Sequence, residues 1–191
     1  RPEVRDLFAL LTILTDPHAM GLVRVACMPD FQMPLGDVAL VLDYLRGNSV
    51  TPGRWLRDPD GSVGLSPEGR EALIELSVAL RVHDEQAQPW TVLATVLLDR
   101  PGIAARIAKA SDIATRLRCV AIWQLMSFLR VQPSGQGLPI VRLLDRVRRL
   151  VRLGDDRDLR QLPTAAQGID AVRLMTIHGA KGLEFPIVHL P

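Results

Sequence analysis

The chain has 191 residues and a formal net charge of +2, and 48% of its residues are hydrophobic but only 4% are aromatic. This length can bury a sizeable core in one or two domains, and a core of Leu, Val, Ile and Ala favours packed helices over a β-sandwich. So small a net charge does not by itself indicate a nucleic-acid partner. Since no apolar run is long enough to span a bilayer and no secretion signal opens the chain, we expect a cytoplasmic protein.

Apolar spacing predicts mainly helices along the chain. Residues 4–14 repeat apolar side chains at helical intervals after Pro2, and Asp16-Pro17 ends this pattern. Ser66-Pro67-Glu68 predicts a helix start, with a serine cap, proline in the first turn and an early acid. Residues 49–64 predict a loop in which Trp55 covers the core. The predicted helices cover residues 2–14, 22–27, 36–48, 66–82, 89–98, 103–109, 112–131 and 140–153.

The last predicted helix carries one apolar face and an arginine-rich remainder. Two interpretations stand: a phosphate-binding face along DNA, or a solvated face whose arginine stems cover apolar surface. The second is favoured because nearby aspartates weaken the positive field. The arginines are Arg142, Arg146, Arg148, Arg149 and Arg152, and the aspartates are Asp145, Asp155, Asp156 and Asp158.

The cysteines and the other reactive residues predict no catalytic or metal centre. Cys27 and Cys119 lie far apart in apolar runs, which favours buried free thiols in a reducing compartment. The sequence has no histidine–cysteine cluster with metal-ligand spacing, and neither paired carboxylates nor a Ser-His-Asp arrangement is evident. It also contains no GxxxxGK[ST] pattern, so no P-loop is predicted.

The stretch 172–190 predicts a strand, a polar glycine-containing loop and a second strand. Residues 172–177 alternate in the period of a half-buried strand, and 186–190 form the second apolar run. Between them lies His178-Gly179-Ala180-Lys181-Gly182. Loops of this kind can present backbone N–H groups and side chains to a phosphate.

Eleven consecutive residues resemble motif V of the UvrD/Rep group of superfamily 1 DNA helicases. They are Met175-Thr176-Ile177-His178-Gly179-Ala180-Lys181-Gly182-Leu183-Glu184-Phe185. An ordinary sheet edge with a polar turn is the alternative interpretation. The segment from Glu3 to Arg24 resembles the stretch that follows motif IV, although a solvated helix face is favoured for Glu3, Asp6 and Arg24 taken alone. Residues 27–37 depart from the family pattern, because its Arg-Gly-x-Gly turn is missing. This departure moves the resemblance towards the RecB/AddA-like branch.

The resemblance implies a mainly α fold in which a helical 2B-type subdomain is inserted in a RecA-like α/β domain. Residues 1–28 would end the first segment of the second RecA-like domain, 29–161 would form the inserted subdomain, and 162–191 would hold the linker and the motif V strand–loop–strand. The chain begins at Arg1 without methionine and stops at Pro191 directly after a predicted strand. We therefore expect a piece of a larger protein.

The resemblance also implies an ATP-dependent DNA helicase that moves 3′ to 5′ and uses ATP and Mg²⁺ in the parent protein. Its partners would be single-stranded and junction DNA and the first RecA-like domain. Lys181 could contact either a phosphate or an acid on the other domain. The implied DNA contacts are Thr176, His178 and Gly179, and the implied ATP contacts are Gly182 and Glu184.

Two other functions stay open at this point. One is a RecB/AddA-like helicase–nuclease subunit, and the other is a non-catalytic helical interaction module that retains motif V as a relic. Without a P-loop, the 191-residue chain alone is expected neither to bind ATP and Mg²⁺ nor to hydrolyse ATP.

Overall fold

A computed structural model of the protein describes residues 1–59, 64–99, 103–109, 112–133 and 135–154, together with 176, 178, 180–182 and 184 near the C-terminus. The described part is mainly helical. Its helices are α1 (Pro2–Thr15), α2 (Met20–Val25), α3 (Leu35–Asn48), α4 (Pro52–Trp55), α5 (Pro67–Leu80), α6 (Pro89–Ala94), α7 (Ile103–Lys109), α8 (Ile113–Arg130) and α9 (Pro139–Leu153). Helix α6 continues directly into a π-helical turn, Thr95–Asp99.

The predicted helices are present, with ends that differ by a few residues from the predicted ones. The prediction of a loop over residues 49–64 is wrong at α4, where Pro52 occupies the first turn of a short helix. Trp55 closes that helix and is buried against Tyr44, with 6.1 Å between the ring centroids. Its predicted place over the core is therefore confirmed.

Side chains near the starts of α5 and α8 satisfy backbone donors that helix geometry leaves open. Ser66 Oγ accepts a hydrogen bond from the Gly69 N–H at 3.1 Å. The Asp112 carboxylate accepts one from the Thr115 N–H at 2.8 Å, and this bond lowers the pKa of Asp112. Both caps stand where the sequence changes from loop to helix.

Helix α1 lies at the centre of the fold. It packs against α2, α4, α6, α8 and α9, and its buried residues occupy most of its circumference. Gly21 of α2 touches the α1 backbone, because a Cβ there would lie 2.3 Å from the Ala9 carbonyl oxygen. The absence of a side chain at Gly21 thus sets how closely the two helices approach.

One hydrophobic cluster runs through the described helices. It joins Leu10 of α1 to Leu76 of α5, Leu93 of α6, Leu125 of α8 and Ile140 of α9, all 1% exposed or less. Residues before and after position 28 share this cluster. The boundaries between residues 1–28, 29–161 and 162–191 stay a prediction.

A buried carboxylate joins α3 to the start of α5. Asp37 accepts hydrogen bonds from the Ser66 N–H at 3.1 Å and the Ser66 hydroxyl at 2.5 Å. Gly69 packs so close that a Cβ would overlap the Asp37 carboxylate. Because its oxygens have donors, Asp37 can be buried without the full cost of desolvation.

The predicted burial of both cysteine thiols is wrong, and two apolar residues of α8 and α9 are also exposed. Cys27, in the turn after α2, is exposed, and Cys119 is only half-buried; neither forms a disulfide with a described residue. Leu117 is 49% exposed because the first two turns of α8 extend past the core, which α8 meets from Ala121 onwards. Val151 is 74% exposed for the same reason at the far end of α9.

None of the described helices is both long enough and apolar enough to cross a membrane.

Candidate functional site

The loop near the C-terminus forms a tight turn held by its own backbone. The Ala180 N–H donates to the Thr176 carbonyl at 3.0 Å, and the Lys181 N–H donates to the His178 carbonyl at 3.3 Å. Gly182 follows with φ = +86°, a left-handed conformation that a residue with a Cβ rarely adopts. The sequence Ala-Lys-Gly therefore suits a one-turn bend that the glycine ends.

The described candidate residues of this loop face solvent. The exposed ones are Thr176, His178, Lys181, Gly182 and Glu184, while Ala180 is half-buried. Gly179 and the two predicted flanking strands lie outside the described residues. The turn brings Thr176 and His178 within one hydrogen-bonded bend with Lys181, so a hydroxyl, an imidazole and an ammonium occupy one short surface segment.

Two backbone N–H groups of the loop, which could have bound a phosphate according to the sequence, instead form hydrogen bonds within the turn. The N–H groups of Ala180 and Lys181 are both used inside the turn. At these positions, contact with a ligand therefore falls to side chains. An imidazole and an ammonium are donors suited to phosphate oxygens, and a carboxylate such as that of Glu184 is an acceptor suited to hydroxyl groups.

The arginine-rich face of α9 is largely engaged within the protein. Arg142 donates to the carbonyl of Gly137 at 3.1 Å and also to those of the two preceding residues. The guanidinium carbon of Arg146 lies 5.7 Å from the centre of the Phe128 ring, and Arg148 pairs with Asp145 at 2.8 Å. These contacts favour the structural interpretation of the face over a continuous phosphate-binding one.

The charged residues near the N-terminus also have structural partners. Arg24 of α2 pairs with Asp6 of α1 at 2.6 Å and donates to the Pro2 carbonyl at 3.2 Å. Glu3 of α1 pairs with Arg118 of α8 at 3.2 Å. These residues therefore connect helices, which a fully solvated face would not do.

Sequence reasoning missed a pair of surface grooves that meet at Trp90. One groove, of about 430 Å³, lies between the start of α6, the end of α8 and the start of α9. The other, of about 440 Å³, lies between α6 with its π-helical turn, α7 and α8. Trp90 and Arg130 line both grooves, and Trp123 lines the second. Trp123 lies on the face of α8 opposite its buried residues Leu125 and Phe128. A large aromatic residue outside the apolar spacing of the helix was the signal available in the sequence.

Among the described residues, no group of three or more His, Cys, Asp or Glu side chains is placed to hold a metal ion.

Comparison with known proteins gives similarity along the whole chain. The chain is 24% identical to the ATP-dependent DNA helicase PcrA of Bacillus subtilis over 195 residues, and the match covers 100% of this chain and 26% of PcrA. It is 28% identical to the ATP-dependent DNA helicase Rep of Escherichia coli over 200 residues, covering 100% of this chain and 28% of Rep. The chain thus spans about a quarter of the length of these relatives.

A shorter match involves a different kind of relative. An ATP-dependent helicase/nuclease subunit from Latilactobacillus sakei is 60% identical over 35 residues, which cover 18% of this chain and 4% of that protein. No protein-family profile matches the chain. No solved structure matches it either. The similarity to the ATP-dependent DNA helicases PcrA and Rep thus extends over the whole chain, at 24% to 28% identity.

Proposed function

We propose that the chain is part of an ATP-dependent DNA helicase, in which the loop at residues 176–184 contacts single-stranded DNA and nucleotide together. The observation that carries this proposal is the eleven-residue resemblance to motif V within a chain that is similar to PcrA and Rep along its whole length. The exposure of His178, Lys181 and Glu184 supports it, since ligand-binding side chains must be accessible.

Helices α3 to α9 would belong to an inserted 2B-type subdomain, covering about residues 29–161. Residues 1–28 and 162–191 would belong to the second RecA-like domain. The described residues between 29 and 154 are mainly helical, which is consistent with this division. ATP and Mg²⁺ would be held mostly by the rest of the parent protein, because the P-loop pattern does not occur in these 191 residues.

The DNA contacts of the loop would come from Thr176, His178 and Gly179. The Thr176 hydroxyl and the His178 imidazole can each donate a hydrogen bond to a phosphate oxygen. Such contacts position a strand without selecting its sequence, as a translocating enzyme requires. Lys181 is exposed in the same bend and adds a positive charge that favours phosphate.

The nucleotide contacts would come from Gly182 and Glu184. The Glu184 carboxylate can accept a hydrogen bond from a ribose hydroxyl, as acids do in dinucleotide sites. The left-handed Gly182 allows the backbone to change direction between the DNA side and this carboxylate. Closure of the two RecA-like domains around ATP would then move the loop at residues 176–184. The bound DNA strand would move with this loop, in 3′ to 5′ steps.

In the intact parent helicase, substitutions at His178 and Glu184 should have different effects on DNA binding and ATP binding. The H178A variant should bind single-stranded DNA more weakly by a factor of up to about ten, as expected for one lost hydrogen bond, and should unwind more slowly with nucleotide affinity unchanged. The E184Q variant should show the reverse, with weakened ATP binding and unchanged DNA affinity in the absence of nucleotide. Fluorescence anisotropy of labelled DNA and of a labelled ATP analogue measures both. An H178A enzyme that unwinds at the unaltered rate would contradict the proposal.

A helicase–nuclease subunit is the second candidate, favoured by the 60% identical segment and by the missing Arg-Gly-x-Gly turn. On this alternative, the intact parent protein should cleave single-stranded DNA in the presence of Mg²⁺. A nuclease assay on end-labelled DNA distinguishes the two candidates, since a helicase without a nuclease domain leaves the label on full-length strands.

A further inference from the structure

The two grooves that meet at Trp90 form one continuous surface, which we call the Trp90 surface and define by Trp90, Trp123, Arg130, Arg142 and Arg146. The first groove is partly polar, with Gln and Thr side chains beside the arginines. The second is mostly apolar, and its wall includes Leu98 of the π-helical turn, which is 70% exposed. The surface lies on the helical body, not on the motif V loop.

Two of the three tryptophans of the chain are exposed on this surface. Trp90 is 41% exposed and Trp123 is 57% exposed, whereas Trp55 is buried in the core. The part of an indole ring that is exposed to solvent contributes little to folding, but its flat face can stack on a nucleobase of any sequence.

The charge of the Trp90 surface has a single sign. Among the described residues that line the two grooves, every charged side chain is an arginine and none is acidic. Arg142 is held by three loop carbonyls and Arg146 lies over the Phe128 ring, so both guanidinium groups have defined positions. Arg130 lies where the two grooves meet. Guanidinium groups beside aromatic rings are suited to phosphates that flank stacked bases.

We propose that the Trp90 surface binds a single-stranded segment of nucleic acid, with bases stacked on Trp123 and Trp90 and phosphates paired with Arg130 and Arg146. An acidic amphipathic peptide is the other class of ligand that arginine and tryptophan could hold. A peptide helix needs an unbroken apolar groove, but here the apolar groove ends at Arg130 and continues as a polar one with Gln88 and Gln132. The Gln88 amide can pair with base edges, whereas the Gln132 amide nitrogen donates to the Phe128 carbonyl at 2.6 Å. The site is separate from the motif V contact and does not depend on it.

The test uses the whole 191-residue chain and a fluorescein-labelled oligo(dT) in anisotropy titrations at several salt concentrations. W123A should bind about 5- to 150-fold more weakly, the range for loss of one aromatic stack, and W123F should retain most of the affinity. R130Q should reduce the slope of log affinity against log salt by about 0.7, the value for one single-strand phosphate contact. R152Q is the matched control, because Arg152 is exposed on α9 but lines neither groove.

Further measurements separate the possible outcomes. Thermal unfolding shows whether W123A is folded at the titration temperature, because the buried part of the Trp123 ring also contributes to stability, and W123F gives the folded comparison. Loss of binding in W123A but not in H178A supports the Trp90 surface even if the motif V proposal fails. Equal oligo(dT) affinity for W123A, R130Q and the unaltered chain overturns the inference. The inference is also overturned if the chain binds a labelled acidic amphipathic peptide through Trp123 but does not bind oligo(dT). It is overturned as well if sedimentation shows that W123A lowers oligo(dT) binding only by changing self-association of the chain.

Discussion

Within the loop at residues 176–184, backbone and side-chain groups have different roles. The amides of Ala180 and Lys181 close the bend, while the His178 and Lys181 side chains remain exposed to solvent. A residue pattern alone cannot make this distinction. Each backbone N–H is available to a ligand unless the fold places a carbonyl within hydrogen-bond distance of it. The proposed DNA contacts therefore depend on side chains that single substitutions can remove without opening the turn.

His83, after α5, provides a residue-scale prediction about pH. It is 8% exposed, its Nε2 has no hydrogen-bond partner among the described residues, and burial lowers its pKa. The unfolded chain has the ordinary histidine pKa of about 6.5, so below that pH it binds more protons than the folded chain does. Above it both states are neutral at this position. The free energy of unfolding should thus fall as pH drops below about 6.5, by at most about 1.4 kcal/mol per pH unit.

Urea unfolding of the H83Q variant at a series of pH values measures this contribution. The variant should lose the extra slope below about pH 6.5, whereas H18Q should keep it because His18 is exposed. Parallel pH profiles for H83Q and the unaltered chain would show that His83 is not the group responsible.

At the scale of elements, the fold depends on how closely neighbouring helices approach. Gly21 lets α2 touch the α1 backbone at Ala9, and Asp37 with Ser66 joins α3 to α5. Arg24 and Asp6 add an ion pair across the α1–α2 contact. Partly exposed pairs of this kind contribute little by themselves, so close packing stabilises the α1–α2 contact more than the ion pair does.

The G21A substitution tests the contact between α1 and α2. The new methyl group would overlap the Ala9 carbonyl oxygen, and separating the helices should lower the free energy of unfolding by about 1–3 kcal/mol. G47A is the control, since no atom outside its own helical neighbourhood lies within 4 Å of the added methyl group and alanine favours a helix over glycine by about 0.5–1 kcal/mol. Chemical denaturation of both variants gives the comparison. If G21A had the same free energy of unfolding as the unaltered chain, α2 would be able to move away from α1 without loss of stability.

At the scale of the whole molecule, one core joins the first helix to the last. Leu10 is fully buried in α1, the helix that contacts α2, α4, α6, α8 and α9. Residues that the family resemblance assigns to two different domains therefore share buried surface. Within the described residues, we expect the helices to unfold together.

The L10A substitution tests this cooperativity. Loss of a fully buried leucine side chain should destabilise the chain by about 2–5 kcal/mol. Far-UV circular dichroism and tryptophan fluorescence should shift by the same amount, because one transition is expected. L40A is the matched control, since Leu40 is 46% exposed and its loss should cost about 0.5 kcal/mol or less. Two separate transitions would show that residues 1–28 and the later helices are independent units.

The sequence by itself determined the helical elements other than α4, and the motif V resemblance. Local rules suffice for these: apolar spacing, Ser66 and Pro67 at a helix start, and a run of fixed residue types around His178 all act within a few positions. The cap at Ser66 occurs where such rules place it.

Only the tertiary structure decided which apolar residues the core covers and which polar groups remain available. Leu117 and Val151 continue their apolar patterns but extend past the neighbouring helices, and Cys27 emerges in a turn. The grooves beside Trp90 exist because α6, α8 and α9, distant in sequence, meet there. Burial depends on contacts between such distant segments, and helical periodicity carries no information about where a neighbouring helix ends.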